Sequence, residues 1–367
     1  MAIPVDSGTQ DEARPKGPDR QAGRGVVGRD VVGCDVVDRG VVGPGVPSPH
    51  PDARPLVTVG LPVFNGENFL ARALESIVVQ DYPNLQIVVA DNGSTDRTEQ
   101  ICREFVRRDP RIEYHRSPVN RGAAWNYNRI VHLAAGTYFK WAAHDDLCAP
   151  AFVSRCVEAL TAASSAAVLA YPKTALIDLN DTVTGGFEDG MNLCEPTPHE
   201  RLRHFLSTRT EYHPVFGVIR AEALLKTDLI GKYVGSDVVL LAQLALGGQF
   251  VEVPERLFLR RFHENTSMNA NPDAAERALW FDPHRRAPSL PMVEKTIRMV
   301  HVILSHDRLD RAERARCLAV LGRQWALPHA RHMGGEVRAA FGTRIGTRIG
   351  TRIGTRIAAK FPSQRSR

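Results

Sequence analysis

From Pro55 onward the chain alternates short apolar runs with amphipathic stretches of helical period. LVTVGLPVFN has the apolar density of a buried parallel strand and stops at Pro62 to Asn65. In GENFLARALESIVVQ, Phe69, Leu70, Ala73, Leu74, Ile77 and Val78 share one helical face. DYPN ends that helix, and LQIVVADNGSTDRT reads as a second buried strand with a polar end. A helix over 96–108, a short strand over 112–116, the loop SPVNRG and a helix over about 123–135 follow. YFKWAAHDDLCAP is then a strand over 138–143 that runs into Asp145 and Asp146, with Pro150 placed to open a helix. This order predicts a parallel sheet with helices on both faces.

Beyond Pro150 the pattern gives a helix over 151–163, a strand over 167–171 extended through 174–178, and a Gly- and Asp-rich loop over 180–198. A helix over 200–207 precedes HPVFGVIRAEALL, a strand feeding a helix. GSDVVLLAQLALG reads as a helix opening on Ser236 and Asp237, and QFVEVPERLFLRRFHENTS as two short strands with a polar end. From about residue 271 the pattern is helical and basic, with heptad-like apolar spacing in MVEKTIRMVHVIL. Residues 342–357 are four copies of GTRI. The first 54 residues repeat Val pairs that Gly and charge interrupt, a composition that predicts disorder. The resulting division is 1–54 low-complexity, 55–270 catalytic, 271–340 a helical extension and 341–367 a basic repeat tail.

Composition changes the picture at two points. Hydrophobic content of 43% with 24% charged residues describes a globular chain. The net charge of +6 is concentrated, because from Arg323 onward ten Lys/Arg face Glu336 alone, which leaves −3 for the rest. A mildly acidic body without a basic patch excludes nucleic acid as the expected partner. Six scattered cysteines show no zinc or disulfide spacing, and no apolar run approaches bilayer-spanning length. The expected location is cytoplasmic. The Arg-rich tail adds a peripheral contact with an anionic membrane surface at its inner face as one alternative, and a repeat without a role as the other.

Three strand ends carry polar groups in one half of the predicted sheet: Pro62 to Asn65, Asp91-Asn92-Gly93-Ser94, and His144-Asp145-Asp146. In a parallel sheet these loops emerge at the carboxyl edge, where open α/β folds bind ligands. Hard oxygen donors on the last loop suit Mn²⁺ or Mg²⁺ holding a substrate diphosphate, although Asp is also common in plain turns. G-x-G-x-x-G and G-x-x-x-x-G-K-[ST] are both absent, so a glycine cradle for phosphate is not expected. His263 in RRFHENTS reads as a metal or diphosphate ligand assisted by Arg261, or as part of a polar turn. His144 reads as structural, and Trp125 and Trp141 as core.

VTVGLPVFNGENFLARALESIVVQDYPNLQIVVADNGSTDRT resembles the start of a family 2 glycosyltransferase of the A-type, nucleotide-diphospho-sugar transferase fold. NRGAAWNYNRIVHLAAGTYFKWAAHDDLCAP continues the resemblance, which extends more loosely through GSDVVLLAQLALGGQF and RRFHENTS. It implies that Pro62, Val63 and Asn65 line the nucleotide site, that Asp91 hydrogen-bonds the base edge, and that Asn120 joins the nucleotide-sugar contacts. It also implies Asp145 as metal ligand of a DXD-type motif, Asp146 beside it in the sugar and metal region, and Asp237 as catalytic base. Ala143 stands where many members carry the first carboxylate, and Tyr127 where many carry Arg. No Q-x-x-R-W occurs, so the processive branch is not implied.

The expected reaction is inverting, metal-assisted transfer from a nucleotide-sugar donor to a hydroxyl of a glycan, lipid-linked or small-molecule acceptor. The cation stabilises the departing diphosphate and a carboxylate takes the hydroxyl proton. An Asp at a helix start is also a common N-cap, with Ser236 able to cap instead. The alternatives are a sugar-nucleotide pyrophosphorylase, disfavoured by PVFNGEN where a Gly-rich, Arg-containing loop is needed, and a catalytically inactive nucleotide-sugar-binding module.

Overall fold

The computed structural model describes residues 54–208, 210–263 and 273–340. β1 (Val57–Val63) is buried along its whole length. It pairs in parallel with β2 (Leu85–Asp91) on one side and β4 (Tyr138–Trp141) on the other, and β3 (Ile112–Arg116) continues the sheet beyond β2. The register sets Val63 opposite Asp91 and Gly60 opposite Trp141, so the polar strand ends lie side by side.

Side chains alternate between the two faces. Ile87 and Val89 join the β1 valines, α1 (Leu70–Val78) and α2 (Thr98–Arg108) in one apolar cluster. Val88 and Ala90 join Ile130 and Val131 of α3 (Ala123–Leu133) in the other. A Cβ at Gly60 would stand 2.2 Å from Ile130 Cγ2, so glycine there is what lets α3 settle onto the strand.

The second half comprises β5 (Leu147–Cys148), α4 (Phe152–Ala162), β6 (Ala167–Ile177), β7 (Val183–Phe187), α5 (Pro198–Ser207), β8 (Val218–Arg220), α6 (Ala221–Leu224), α7 (Ser236–Gly247) and β9 (Gln249–Arg261). Among the described residues the sheet has nine strands in the order β3-β2-β1-β4-β8-β6-β9-β5, with β7 paired to β6. The first four strands are parallel. β8 runs antiparallel between β4 and β6, and β9 lies parallel to β6 and antiparallel to β5. The fold is therefore a mixed α/β sheet with helices on both faces.

Two expectations change here. Residues 180–198 contain β7, a solvent-exposed hairpin partner of β6, rather than loop alone. QFVEVPERLFLRR is one 13-residue strand instead of two. Its register on β6 jumps from Val253 to Arg256, so Pro254 falls in a bulge where its missing N–H breaks no ladder bond.

α7 is buried from Val238 to Leu246 except at Gln243, as expected of a helix apolar on all sides. The chain closes with α8 (Ala274–Phe281), α9 (Pro291–Ser305) and α10 (Arg311–Leu321), the last continuing through a π-helical turn, Gly322–Ala326, to residue 340. Met299, Val302, Ile303 and Trp325 enter the same cluster as α7, so these helices share a core with the sheet. No helix among the described residues is long and apolar enough to cross a membrane. The low-complexity segment before residue 54 and the GTRI tail lie outside the described residues.

Candidate functional site

The loops that follow β1, β2 and β3 are stitched to one another by their own polar groups. Asn65 sits in the left-handed region at φ 53°, its N–H donates to Ser94 Oγ at 2.9 Å, and its Oδ1 accepts from Thr95 N at 2.9 Å. Gly66 N donates to Thr98 Oγ1 and Glu67 N to Asp96 Oδ2. Asn120 Oδ1 accepts from Asn92 Nδ2 at 2.8 Å and from Gly122 N at 2.9 Å. Val63 is buried at the end of β1, with Pro62 buried before it and Phe64 exposed after it.

Asp91 lies under this rim. Its carboxylate has no exposed surface and accepts Ser94 N at 2.8 Å, the Tyr114 hydroxyl at 2.7 Å and Arg116 Nε at 3.2 Å. That placement does not fit the expected hydrogen bond to a base edge, since the acceptor oxygens already face protein donors. Its visible work is to tie the second loop to β3.

The Asp145-Asp146 pair splits in two directions. Asp145 Oδ2 meets His263 Nε2 at 3.0 Å. Burial opposes its charge, but the His263 hydrogen bond with the charges of His144, Arg260 and His263 outweighs that, and holds the carboxyl well below the usual range. Asp146 turns to β9, where Arg260 Nη1 reaches both oxygens at 3.1 and 2.9 Å and Arg261 N donates at 2.9 Å. Burial, with the Asp145 charge added, pushes Asp146 up against the pull of Arg260. Asp146 is thus committed to an internal ion pair, not aimed at the sugar and metal region as expected.

Arg261 does not assist His263 as a ligand. Fully buried, it donates to the carbonyls of Asp145 at 2.8 Å and Asp178 at 2.7 Å, pairs with Asp181, and lies over the Phe69 ring. Phe69 also packs on the His263 ring, 4.8 Å between centroids. His144 lies against Gly66, where a Cβ would come within 2.9 Å of its ring. Trp141 is core, whereas Trp125 is only half-buried and carries the guanidinium of Arg121 4.4 Å from its ring centroid.

Asp237 occupies the second position of α7. Gly235, left-handed at φ 78°, takes the N-cap position, and Ser236 is buried with its hydroxyl unbonded. Neither N-cap reading of this stretch holds. Asp237 Oδ1 instead accepts the N–H of Val238 at 3.0 Å, inside the first turn where the helix dipole favours an anion. The residue keeps some surface, yet crowding by protein pushes its carboxyl above the usual range, opposed by the Val238 N–H and by Lys295.

Tyr127 joins the two halves. This α3 residue rests on Trp141, whose Nε1 donates to the Tyr127 carbonyl at 3.2 Å. Burial pushes its phenol up, and the charges of Asp145, Asp146 and Asp237 add to the effect while Arg260 opposes it. One side chain therefore lies within electrostatic reach of all three carboxylates.

Among the described residues there is no group of three or more His, Cys, Asp and Glu able to hold a metal. Asp145 and His263 offer two donors. That set fits a cation which keeps several waters and takes its remaining ligands from substrate phosphates. Local sequence pattern does not mark Arg260 as part of the site. Lys295 did leave a signal: it falls on the inward stripe of α9 with Met292, Met299 and Val302, where an apolar residue is expected.

Residues 58–234 match the model of Glycosyl transferase family 2. An uncharacterized glycosyltransferase of Rickettsia typhi is 33% identical over 124 residues, 34% of this chain and 38% of that protein. The glycosyltransferase GlyA of Streptococcus pneumoniae is 40% identical over 90 residues, 24% of this chain and 13% of its own length. The chain thus spans well under half of these relatives. The S. aureus TarS 1–349 structure in complex with UDP-GlcNAc superposes with a TM-score of 0.55 at 18% identity, covering 75% of this chain and 74% of that one. At that identity the likeness is one of fold.

Proposed function

Because residues 58–234 belong to glycosyl transferase family 2, we propose that the protein transfers a sugar from a nucleoside-diphosphate sugar to an acceptor hydroxyl, inverting the anomeric centre. The observation that carries this reading is the convergence of Asp145, with His263, and Asp237 on Tyr127. Two carboxylates 92 residues apart in the chain, one on the expected diphosphate side and one a candidate base, thereby lie near the same side chain.

In this reading the nucleotide rests on the loop rim formed by Pro62, Val63, Asn65 and Asn120. Asp91 holds that rim from beneath. Asp145 and His263 would hold Mn²⁺ or Mg²⁺, which when bound stabilises the negative charge of the departing diphosphate. Asp146 with Arg260, and Arg261 through the Asp145 carbonyl, keep Asp145 in place. Asp237 accepts the proton of the attacking hydroxyl. A bond forms from that oxygen to the anomeric carbon as the bond to the diphosphate breaks, and the electron pair leaves with the diphosphate. Attack from the opposite face inverts the centre, by analogy with inverting glycosidases.

The likeness in fold to a protein that binds UDP-GlcNAc makes UDP-sugars the first donors to try. The acceptor is a glycan, a lipid-linked sugar or a small molecule. A panel of UDP-, GDP- and dTDP-sugars, assayed for donor hydrolysis with and without Mn²⁺, tests the reading. Metal-dependent release of one nucleoside diphosphate is the expected result, and no release from any donor would sink it.

A further inference from the structure

α9 belongs to the helical extension and begins 54 residues beyond Asp237, yet it reaches the mouth of α7. A Cβ placed on Gly235 would stand 2.8 Å from Lys295 Cδ and 3.3 Å from Lys295 Nζ. Gly235 is two residues before Asp237, and its missing side chain leaves the channel through which the lysine passes. The lysine is also braced from behind. Its ammonium lies 5.4 Å from the centroid of Trp325, whose Nε1 donates to Thr296 Oγ1 at 2.9 Å. Glu336 accepts the N–H groups of Met292 and Val293 and so fixes the start of α9.

We propose that Lys295 is a positioning residue for the transfer reaction: the extension inserts this cation beside Asp237 to keep its carboxylate ionised and ready to accept a proton. The proposal rests on the reading of Asp237 as base. It gives the extension a part in the chemistry that the matched family region, 58–234, does not contain.

The surroundings leave the lysine as the main opposing charge. Asp237 is crowded by uncharged protein, and the ionisable groups that respond to it are the phenols of Tyr127, Tyr212 and Tyr233, neutral at working pH. Lys295 in turn faces Asp237 and Glu336, while burial lowers its own proton affinity. Arg201 lies at the far end of α7, on the carbonyls of Ala245 and Leu246. A cation so placed works against the desolvation that would otherwise protonate the carboxylate.

The test is a ¹³C NMR titration of aspartate-labelled protein, the Asp237 signal being assigned as the one lost in Asp237→Asn. In Lys295→Met the Asp237 carboxyl is expected to bind its proton about tenfold more tightly than in the parent. Lys295→Arg should return it to the parental position, which loss of packing alone would not reverse. The acidic limb of UDP-GlcNAc hydrolysis should move to higher pH with it. Should Lys295→Met fail to fold, Lys295→Gln carries the same comparison. Superimposable titrations in parent and charge-removed variant overturn the proposal. A parental hydrolysis rate in Asp237→Asn overturns the base assignment instead, whatever the lysine variants do.

Discussion

His263 Nε2 lies 3.0 Å from Asp145 Oδ2 although 118 residues separate them. The pair forms because β5, only two residues long, is held antiparallel against the end of β9. Arg261 locks the arrangement by bonding the Asp145 carbonyl, and Phe69 covers the His263 ring.

If these two side chains hold the metal, each should be needed for it. Asp145→Ala is expected to lose metal-dependent donor turnover by roughly 10²-fold or more, and His263→Ala to weaken the Mn²⁺ requirement curve by about tenfold or more. Mn²⁺ titrations of both variants check this. Full parental activity in EDTA would remove the cation from the reaction altogether.

Arg260 is expected to matter for stability more than for contact with substrate. Its partner Asp146 is almost wholly buried and depends on it for charge balance. Arg260→Met should cost about 3–5 kcal/mol by leaving that carboxylate unpaired, with a smaller loss when Asp146→Asn is combined with it. Denaturant unfolding of the single and double variants decides. Equal losses would mean the ion pair is not what the arginine is for.

How far the sequence carried the fold can be seen from where it stopped. The order from β1 to β4 was legible because each strand is a local apolar run and each helix a local stripe. β9 was not, since Pro254 and the charges around it break the apolar run and only the bulge against β6 makes one strand of it. β7 was hidden because an exposed VTGGF hairpin arm has no buried face to set a period. At the site, residue types pointed to Asp145 and His263, and the family resemblance pointed to Asp237. Arg260 reaches the site through its ion pair with Asp146, 114 residues earlier in the chain, which local pattern does not encode. Asp91 shows the converse: the resemblance implied ligand contact, and its carboxylate is buried against Ser94, Tyr114 and Arg116.

That arrangement is open to test. Asp91→Ala removes the acceptor for a backbone N–H, a phenol and a guanidinium, so a loss of about 1–3 kcal/mol in folding stability is expected together with weaker nucleotide binding. Unfolding curves and UDP titrations measured on the same preparation separate the two effects. Weaker UDP binding with unchanged stability would restore a direct contact between Asp91 and the base.

Asp237 bears the heaviest demand, because the proposed reaction has no other candidate base. Its carboxyl is pushed up chiefly by burial, so it should titrate above the ordinary aspartate range and the acidic limb of kcat/KM should lie correspondingly high. The same shift has a sign for stability. A carboxyl whose folded pKa exceeds its unfolded value binds more protons when folded, so its contribution is fully present below the unfolded pKa. That contribution is lost as pH rises through the folded one. At neutral pH the ionised Asp237 therefore weighs against the fold, and Asp237→Asn should be at least as stable as the parent. Turnover should behave oppositely, falling roughly 10²–10⁴-fold as expected for a lost general base, with nucleotide affinity nearly unchanged. Melting temperature and turnover of this one variant, measured at pH 7, check both halves. A variant that is less stable and nearly as active would make Asp237 a helix-end support, and the transfer reaction would need its base elsewhere.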